Sequence, residues 1–447
     1  MKLKITENKL LDILLNGSDK ELEKVIDKIH PADILDIIHK EEVDLVKILN
    51  RLPDYIIADI IEEEEDEEKY KLLKNFSENK QKNILGEMVS DEITDMVGAL
   101  DEEESKEVLE KIGEEERKDV VELLNYEPDT AGGIMATEFI SIRENKSIRD
   151  TLKYLQKEAP DAESVYYLYV VDNDDILKGV VSLRDIVCTD FETKISEITN
   201  TNVISISYDI DQEEAANTFE KYGFLSMPVV DEDDKLLGII TADDIMEVLK
   251  EESTEDIHRL GGVDKEEKVD GTLVESIKSR LPWLLVNLVT AILAASVVGA
   301  FEGTISQVVT LATFMPIVAG MGGNAGTQSL TIIVRGIALG ELTGENAVRI
   351  FFKELFVGLT TGVVIGAVIA VLGFMWERNI VFGIVIGVAM VLNMMVATVT
   401  GFIVPVILKK LNVDPALASA VFVTTATDVL GFFFFLGLAT MFIQYLI

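Results

Sequence analysis

Four windows in the C-terminal part of this 447-residue chain contain no charged side chain: Leu281–Phe301, Gly303–Val334, Leu355–Trp376 and Asn379–Leu408. A fifth, Pro415–Ile447, contains one, Asp428. Roughly 20 apolar residues are enough for a helix to cross the hydrocarbon core of a bilayer. Buried helices of water-soluble proteins rarely supply five such windows in succession. The pattern therefore predicts a pore-sized domain of five α-helical spans within residues 272–447.

Charge divides the chain at the same place. Residues 272–447 carry 8 basic and 8 acidic side chains, so the whole net charge of −39 falls on residues 1–271, with 71 acidic against 32 basic. No basic footprint exists for nucleic acid, and none for docking on anionic lipid. Cys188 is the only cysteine, so an intramolecular disulfide or a thiolate metal centre lacks partners. His30, His39 and His258 are scattered. The opening MKLKITENKLLDILLNG is too interrupted by charge for a secretory signal. With no P-loop, no nucleophile–His pairing and no zinc motif, an enzyme is not expected.

Loop charges predict orientation. Lys278, Arg280, Arg335, Arg349, Lys353, Lys409 and Lys410 share one side, while the other holds Arg378 with Glu302 and Glu377. The positive-inside rule then puts the acidic region in the cytoplasm of a multi-pass protein of the cell membrane, with the C-terminus outside. A lone unpaired cysteine agrees.

Two features of the membrane half carry chemistry. The stretch FMPIVAGMGGNAGTQSLTIIV is too rich in Gly, and too long with its flanks, for one straight helix. One reading is a broken, pore-lining segment in which Asn324, Thr327 and Gln328 face water. The other is a tight small-residue interface between helices. Asp428 lies near the middle of the last span, with no intramembrane Lys or Arg to neutralise it. Either it is a protonated packing group or it attracts a cation in a hydrated path. Thr424, Thr425 and Thr427 add only oxygen ligands, which suits a hard, hydrated ion such as Mg²⁺. Asn393, Thr398 and Thr400 read as interhelical hydrogen-bonding groups. So little polar lining suggests two copies meeting on a symmetry axis.

In the acidic half, residues 166–187 (YYLYVVDNDDILKGVVSLRDIV) recur at 225–246 (LSMPVVDEDDKLLGIITADDIM). Each copy predicts a strand, an Asp-rich turn, a strand and a helix capped by Ser182 or Thr241. The shared Gly-x-x-Ser/Thr-x-x-Asp ending resembles a tandem CBS pair. That resemblance implies adenine-nucleotide contacts at Ser182 with Asp185 and at Thr241 with Asp244; plain helix capping is the alternative. Residues 1–130 show helical periodicity with loose repeats, predicting an all-α superhelix of short paired helices. The run IEEEEDEEK at 61–69 reads as a solvated face or loop. Asp91 and Asp95 share a helix face, as half a cation site or as surface. From Asp243 to Gly271 a connecting helix is expected. On it Glu252, Glu255 and Asp256 share one face and Asp244, Glu247 and Glu251 an adjacent one, with Arg259 in reach of Glu255 and Asp256.

The segments PDTAGGIMATEF (128–139), TEDIHRLGGVD (254–264), MPIVAGMGGNAGTQS (315–329) and VDPALASAVFVTTATDV (413–429), with the CBS pair, resemble the MgtE family of magnesium transporters and channels over nearly the whole length. The domain order agrees: a helical N domain (1–130), tandem α/β CBS domains (131–250), a connecting plug helix (243–271) and a transmembrane pore domain (272–447). The resemblance implies a homodimeric Mg²⁺ channel that senses cytosolic Mg²⁺. It implies a hydrated ion near Asp428, Asp414 at the cytosolic pore end and Asn324 on its wall. Asp244, Glu247, Glu252, Glu255 and Asp256 would be regulatory ligands. ATP, as a regulator, would meet Tyr167, Ser182, Arg184 and Asp185. Transport of Co²⁺ or Mn²⁺ is the alternative. Two rivals, a CBS-regulated anion channel and a membrane-anchored sensor, fit the acidic mid-span residue and the five spans less well.

Overall fold

The computed structural model describes residues 7–26, 29–40, 45–159, 162–265, 267–269, 271–411, 413–417 and 419–447. The first six residues of the segment read above as no leader lie outside that set. Apolar residues at helical spacing, punctuated by Pro, Gly, Ser and Asp, form a series of short helices from Glu7–Asn16 to Glu114–Leu123. Two matter below, α1 (Asp66–Leu73) and α2 (Ser90–Gly98). Helices pack on the next but one, as α1 does on α2 and α2 on Glu114–Leu123. This alternation buries Leu14, Ile57, Ile60, Leu73, Ile84 and Met96 in one core. The acidic run at 61–69 is a solvated turn as expected, and only its ends, Ile61 and Lys69, are buried. It ends one helix, turns and starts α1, which buries the Lys69 side chain between Asp66 and Glu92.

The two repeats form two small sheets, β1 (Phe139–Arg143), β2 (Ser164–Val171), β3 (Leu177–Ser182) and β4 (Ile206–Ser207), β5 (Ser226–Val230), β6 (Leu236–Thr241), in orders β1-β2-β3 and β4-β5-β6. In each the first pair is parallel and the second antiparallel. The hairpin turns use Asp175 and Asp234 at equivalent left-handed positions (φ 62° and 60°), a conformation that short polar Asp tolerates. Leu177 N–H donates to the Asp234 carbonyl at 2.9 Å and Leu236 N–H to the Asp175 carbonyl at 3.1 Å, so the two hairpins exchange bonds in local pseudo-twofold fashion. Helix α3 (Ala242–Leu260) follows β6.

By contacts the chain divides into two compact units, Met1–Leu249 and Lys250–Ile447. The second contains α4 (Leu273–Ala300), α5 (Thr310–Ala338), α6 (Ala347–Glu377), α7 (Ile380–Lys410) and α8 (Ser419–Met441). Among the described residues four helices are long and apolar enough to cross a membrane, against the five spans expected: α4, α6, α7 and Ala420–Met441 of α8. Helix α5 has the length but not the apolarity, because Asn324, Thr327, Gln328 and five glycines dilute it. The expected break in α5 is absent; it runs as one helix through Pro316 and the glycines, after a short helix Glu302–Gln307. The physical reason is packing. A Cβ at Gly322 would strike Asn393, and one at Gly401 of α7 would sit 2.8 Å from the Gly326 carbonyl, so small residues here serve close helix crossing. Gly358, Gly362 and Gly366 do the same between α6 and α7. Helix α7 is the central one, burying Phe382, Ile386, Met390 and Ala397.

Candidate functional site

The last span places Asp428 near the middle of α8, half-buried, and among the described residues no hydrogen bond or ion pair reaches its carboxylate. It is not sealed in dry packing. Thr424 and Thr425 are also half-buried. Their hydroxyls donate to their own helix backbone, to the Ala420 carbonyl at 2.9 Å and the Val421 carbonyl at 2.6 Å, which leaves oxygen lone pairs outward. Thr427, the third hydroxyl expected to help, is fully buried and abuts Gly326. Its side chain belongs to packing.

Helix α5 has two unlike faces. Gly322, Ala325, Gly326, Ser329 and Ile333 are buried, whereas Asn324, Thr327, Gln328 and Thr331 form an exposed polar stripe. Gly323 lies against Thr424. Asn324 is the next residue along α5, and Asp428 lies one turn beyond Thr424 on α8.

The C-terminal part of α3 meets the end of this bundle. Leu260 packs on Leu330, Val334, Ala416 and Val423. Arg259 ion-pairs with Glu255, as expected, but its second partner is Asp414 rather than Asp256. Asp414 also caps its own loop, accepting the Ala416 N–H at 2.8 Å. Asp256 lies near Glu252 and Arg335; burial first and Glu252 second push its carboxyl upward, and Arg335 opposes them.

Within the first unit α2 carries Asp91 and Asp95 towards the start of α3. Burial above all, then Asp244, Glu92, Glu138 and Glu163, holds the Asp91 carboxyl well above the usual range. Asp244 accepts from Thr241 N–H at 2.8 Å and Oγ–H at 2.9 Å, yet burial still raises it. Asp95 is exposed, yet surrounding protein and then Asp66 push it up, with Glu92 and Glu247 adding and Lys69 opposing. Burial pushes Glu62 and Glu163 up to about 7. These carboxylates approach in electrostatic range without forming a cage: among the described residues no three His, Cys, Asp or Glu side chains converge closely enough to hold a metal. Such a spread suits a hydrated ion bridging through its waters better than a dehydrated one.

At the first repeat, Tyr167 pairs with Ser182 across β2 and β3. Ser182 Oγ donates to Asp185 at 2.6 Å and accepts the Asp185 N–H at 3.1 Å, so the capping role is observed, with Arg184 and Asp185 exposed beside it.

Comparison with known proteins decides the family. The family profile described as MgtE, a divalent cation transporter, matches residues 315–438. The MgtE intracellular N domain matches 5–129, and CBS domains match 131–189 and 195–251. The magnesium transporter MgtE of Bacillus subtilis is 35% identical over 98% of this chain and 97% of its own. The chain belongs to the MgtE family. Its Enterococcus faecalis relative, also a magnesium transporter MgtE, is 42% identical over 73% of this chain and 72% of that one. A crystal structure of the cytosolic domain of the Mg²⁺ channel MgtE in complex with ATP is 34% identical, with a TM-score of 0.51, covering 54% of this chain and all of that one. Family and apolar helices together make this a membrane protein with an MgtE-type helical N domain and CBS pair.

Two of the polar residues buried in this MgtE-family bundle are Glu354, which the sequence does not single out, and Asn393, which makes the interhelical hydrogen bond expected of it, to the Val318 carbonyl. Glu354 of α6 is only 3% exposed and accepts from Ser329 Oγ at 2.8 Å. Its position at the edge of a charge-free window marks it as a flank charge, and only the packing shows it turned inward. Asn393 is 0% exposed, and its depth in α7 could have been inferred from the glycines it opposes.

Proposed function

We propose that the protein is a homodimeric Mg²⁺ channel that admits Mg²⁺ through the cell membrane and is closed by Mg²⁺ on the cytosolic side. One observation carries the reading: Asp428 lies mid-helix, half-open, with no described donor on it, on a helix that packs against α5. A carboxylate at that depth costs several kcal/mol unless water or a cation meets it. Asp428, Asn324 and Thr424 would hold the ion through its hydration shell, with Asp414 at the cytosolic end.

The dimer is supported by exposed apolar side chains at matching points of the two repeats. Val187 (67% exposed) corresponds to Met246 (65%), and Tyr166 to Leu225. Two-fold pairing would cover them. Loop charge puts residues 1–271 in the cytoplasm and the C-terminus outside.

Regulation follows from charge. The clustered acids, Asp91, Asp95, Asp244 and Glu247 in the N and CBS domains and Glu252, Glu255 and Asp256 on the plug helix, repel one another without metal. Bound Mg²⁺ reverses that sign locally and favours the compact, closed state. Tyr167, Ser182, Arg184 and Asp185 form the place where ATP would tune it.

Flux of Mg²⁺, Mn²⁺, Co²⁺ and chloride into liposomes holding purified protein tests the reading. Mg²⁺ entry that falls as Mg²⁺ on the cytosolic face rises is expected. Chloride flux, or no divalent flux under any internal condition, overturns it.

A further inference from the structure

We propose that Glu354 and Asn393 are positioning residues that fix the rotation of α5, and so aim its polar stripe at the path past Asp428. The inference rests on the channel reading above.

Helix α5 is held from behind at two heights. At one, Asn393 Nδ2–H donates to the Val318 carbonyl at 2.8 Å. At the other, Ser329 Oγ lies 2.8 Å from Glu354 Oε2 and 3.1 Å from the Thr398 carbonyl. Val318 and Ser329 are separated by three helical turns, about 16 Å of rise. Two such attachments define a rotation, whereas the glycine contacts alone permit sliding. All three side chains are buried, and the stripe of Asn324, Thr327 and Gln328 lies between the two heights on the opposite, exposed face.

Asn393 does more than donate. Its Oδ1 is buried without a hydrogen-bond partner among the described residues. It points at Gly431 of α8, where a Cβ would lie 2.7 Å away, and at Gly322 of α5, where one would lie 3.1 Å away. Gly431 follows Asp428 by three residues. One amide therefore sits between the helix bearing the stripe and the helix bearing the acid. An apolar replacement fills the volume but loses the anchor on Val318. Lys353, exposed next to Glu354, is 3.6 Å from Oε1 and balances the carboxylate from the rim. The geometry asks Glu354 to accept a hydrogen bond, which Gln also does.

The test uses full-length protein in liposomes with Cys188→Ala as background, comparing Glu354→Gln, Glu354→Ala, Ser329→Ala and Asn393→Leu. Readouts are the Mg²⁺/Na⁺ permeability ratio in that background and, in a parallel set that also carries Gln328→Cys on the exposed stripe, the rate of thiol modification at position 328. Losing one buried hydrogen bond should change both by roughly three- to tenfold in Glu354→Ala, Ser329→Ala and Asn393→Leu. Glu354→Gln should stay near the background protein. Unchanged ratio and rate in Ser329→Ala and Asn393→Leu, or a Glu354→Gln variant as altered as Glu354→Ala, overturns the proposal. Ser329→Ala removes the α5 donor without touching charge, so the question stays open to test if a Glu354 variant fails to insert. Absence of flux in the unsubstituted protein would instead defeat the channel reading.

Discussion

Arg259 joins Glu255, one turn earlier on the same helix, to Asp414 in the loop before the last span. A guanidinium here does what a bound divalent cation is proposed to do nearby: it neutralises carboxylates of two elements and holds them together. Removing it should favour the open state. We expect Arg259→Ala to raise the Mg²⁺ concentration for half-closure several-fold in patch recordings, with unitary conductance unchanged. A lower closing concentration would mean that Arg259 competes with Mg²⁺ rather than assisting it.

The triple change Glu252→Gln, Glu255→Gln, Asp256→Asn should weaken closure further, since it removes the proposed ligands on the plug helix. Conduction in low Mg²⁺ should persist, because none of the three lies within the spans. Inhibition by cytosolic Mg²⁺ at the unsubstituted protein's concentration would remove this face from gating.

Burial raises Asp91, Glu62 and Glu163, the latter two to about 7, above their values near 4 in an unfolded chain. The folded unit therefore binds more protons than the unfolded one between those limits. Their contribution to its stability is fully present below about 4 and is lost as pH rises through about 7. Residues 1–249 in EDTA should melt at a lower temperature at pH 8 than at pH 6. Because Mg²⁺ requires ionised carboxylates, its stabilising effect should be larger at pH 8. A melting temperature that rises with pH in EDTA would contradict the assignment.

Much of this was legible in the sequence because its signals are local. Charge-free windows, the 59-residue repeat and the Ser182 cap each depend on neighbours along the chain. What the sequence hid depends on direction in space. Pro316 with Gly320, Gly322, Gly323 and Gly326 looks like a break in α5, yet α5 is one helix in which Gly322 and Gly326 serve close packing. Lys69 sits in a run of acids and reads as surface, but its side chain crosses to α2. Arg259 could reach Asp256 by spacing, and only the fold brings Asp414 to it.

Lys69 yields a prediction of its own. Its ammonium lies 2.6 Å from Asp66 and 2.5 Å from Glu92, with the residue 4% exposed. Lys69→Met would leave those acids uncompensated, at a cost of about 3 kcal/mol. Differential scanning calorimetry of residues 1–249 in EDTA should show that loss. Millimolar Mg²⁺ should restore much of it, because a divalent ion can take over the neutralising role. Equal destabilisation with and without Mg²⁺ would show Lys69 to be a packing residue alone.

Asp428 carries the heaviest demand. Asp428→Ala should abolish Mg²⁺ flux or its selectivity while the protein still inserts and dimerises, since no described group depends on the carboxylate for a hydrogen bond. Asp428→Asn keeps shape and oxygen but loses charge, and should lower Mg²⁺ flux far more than Na⁺ flux, because attraction to a divalent ion scales with its charge. Asp428→Glu keeps the charge and moves it by one methylene, so partial flux with altered preference among Mg²⁺, Mn²⁺ and Co²⁺ is expected. Stopped-flow uptake with a divalent-sensitive dye distinguishes the three. Uptake at the unsubstituted rate by Asp428→Ala would place the ion path elsewhere in the bundle.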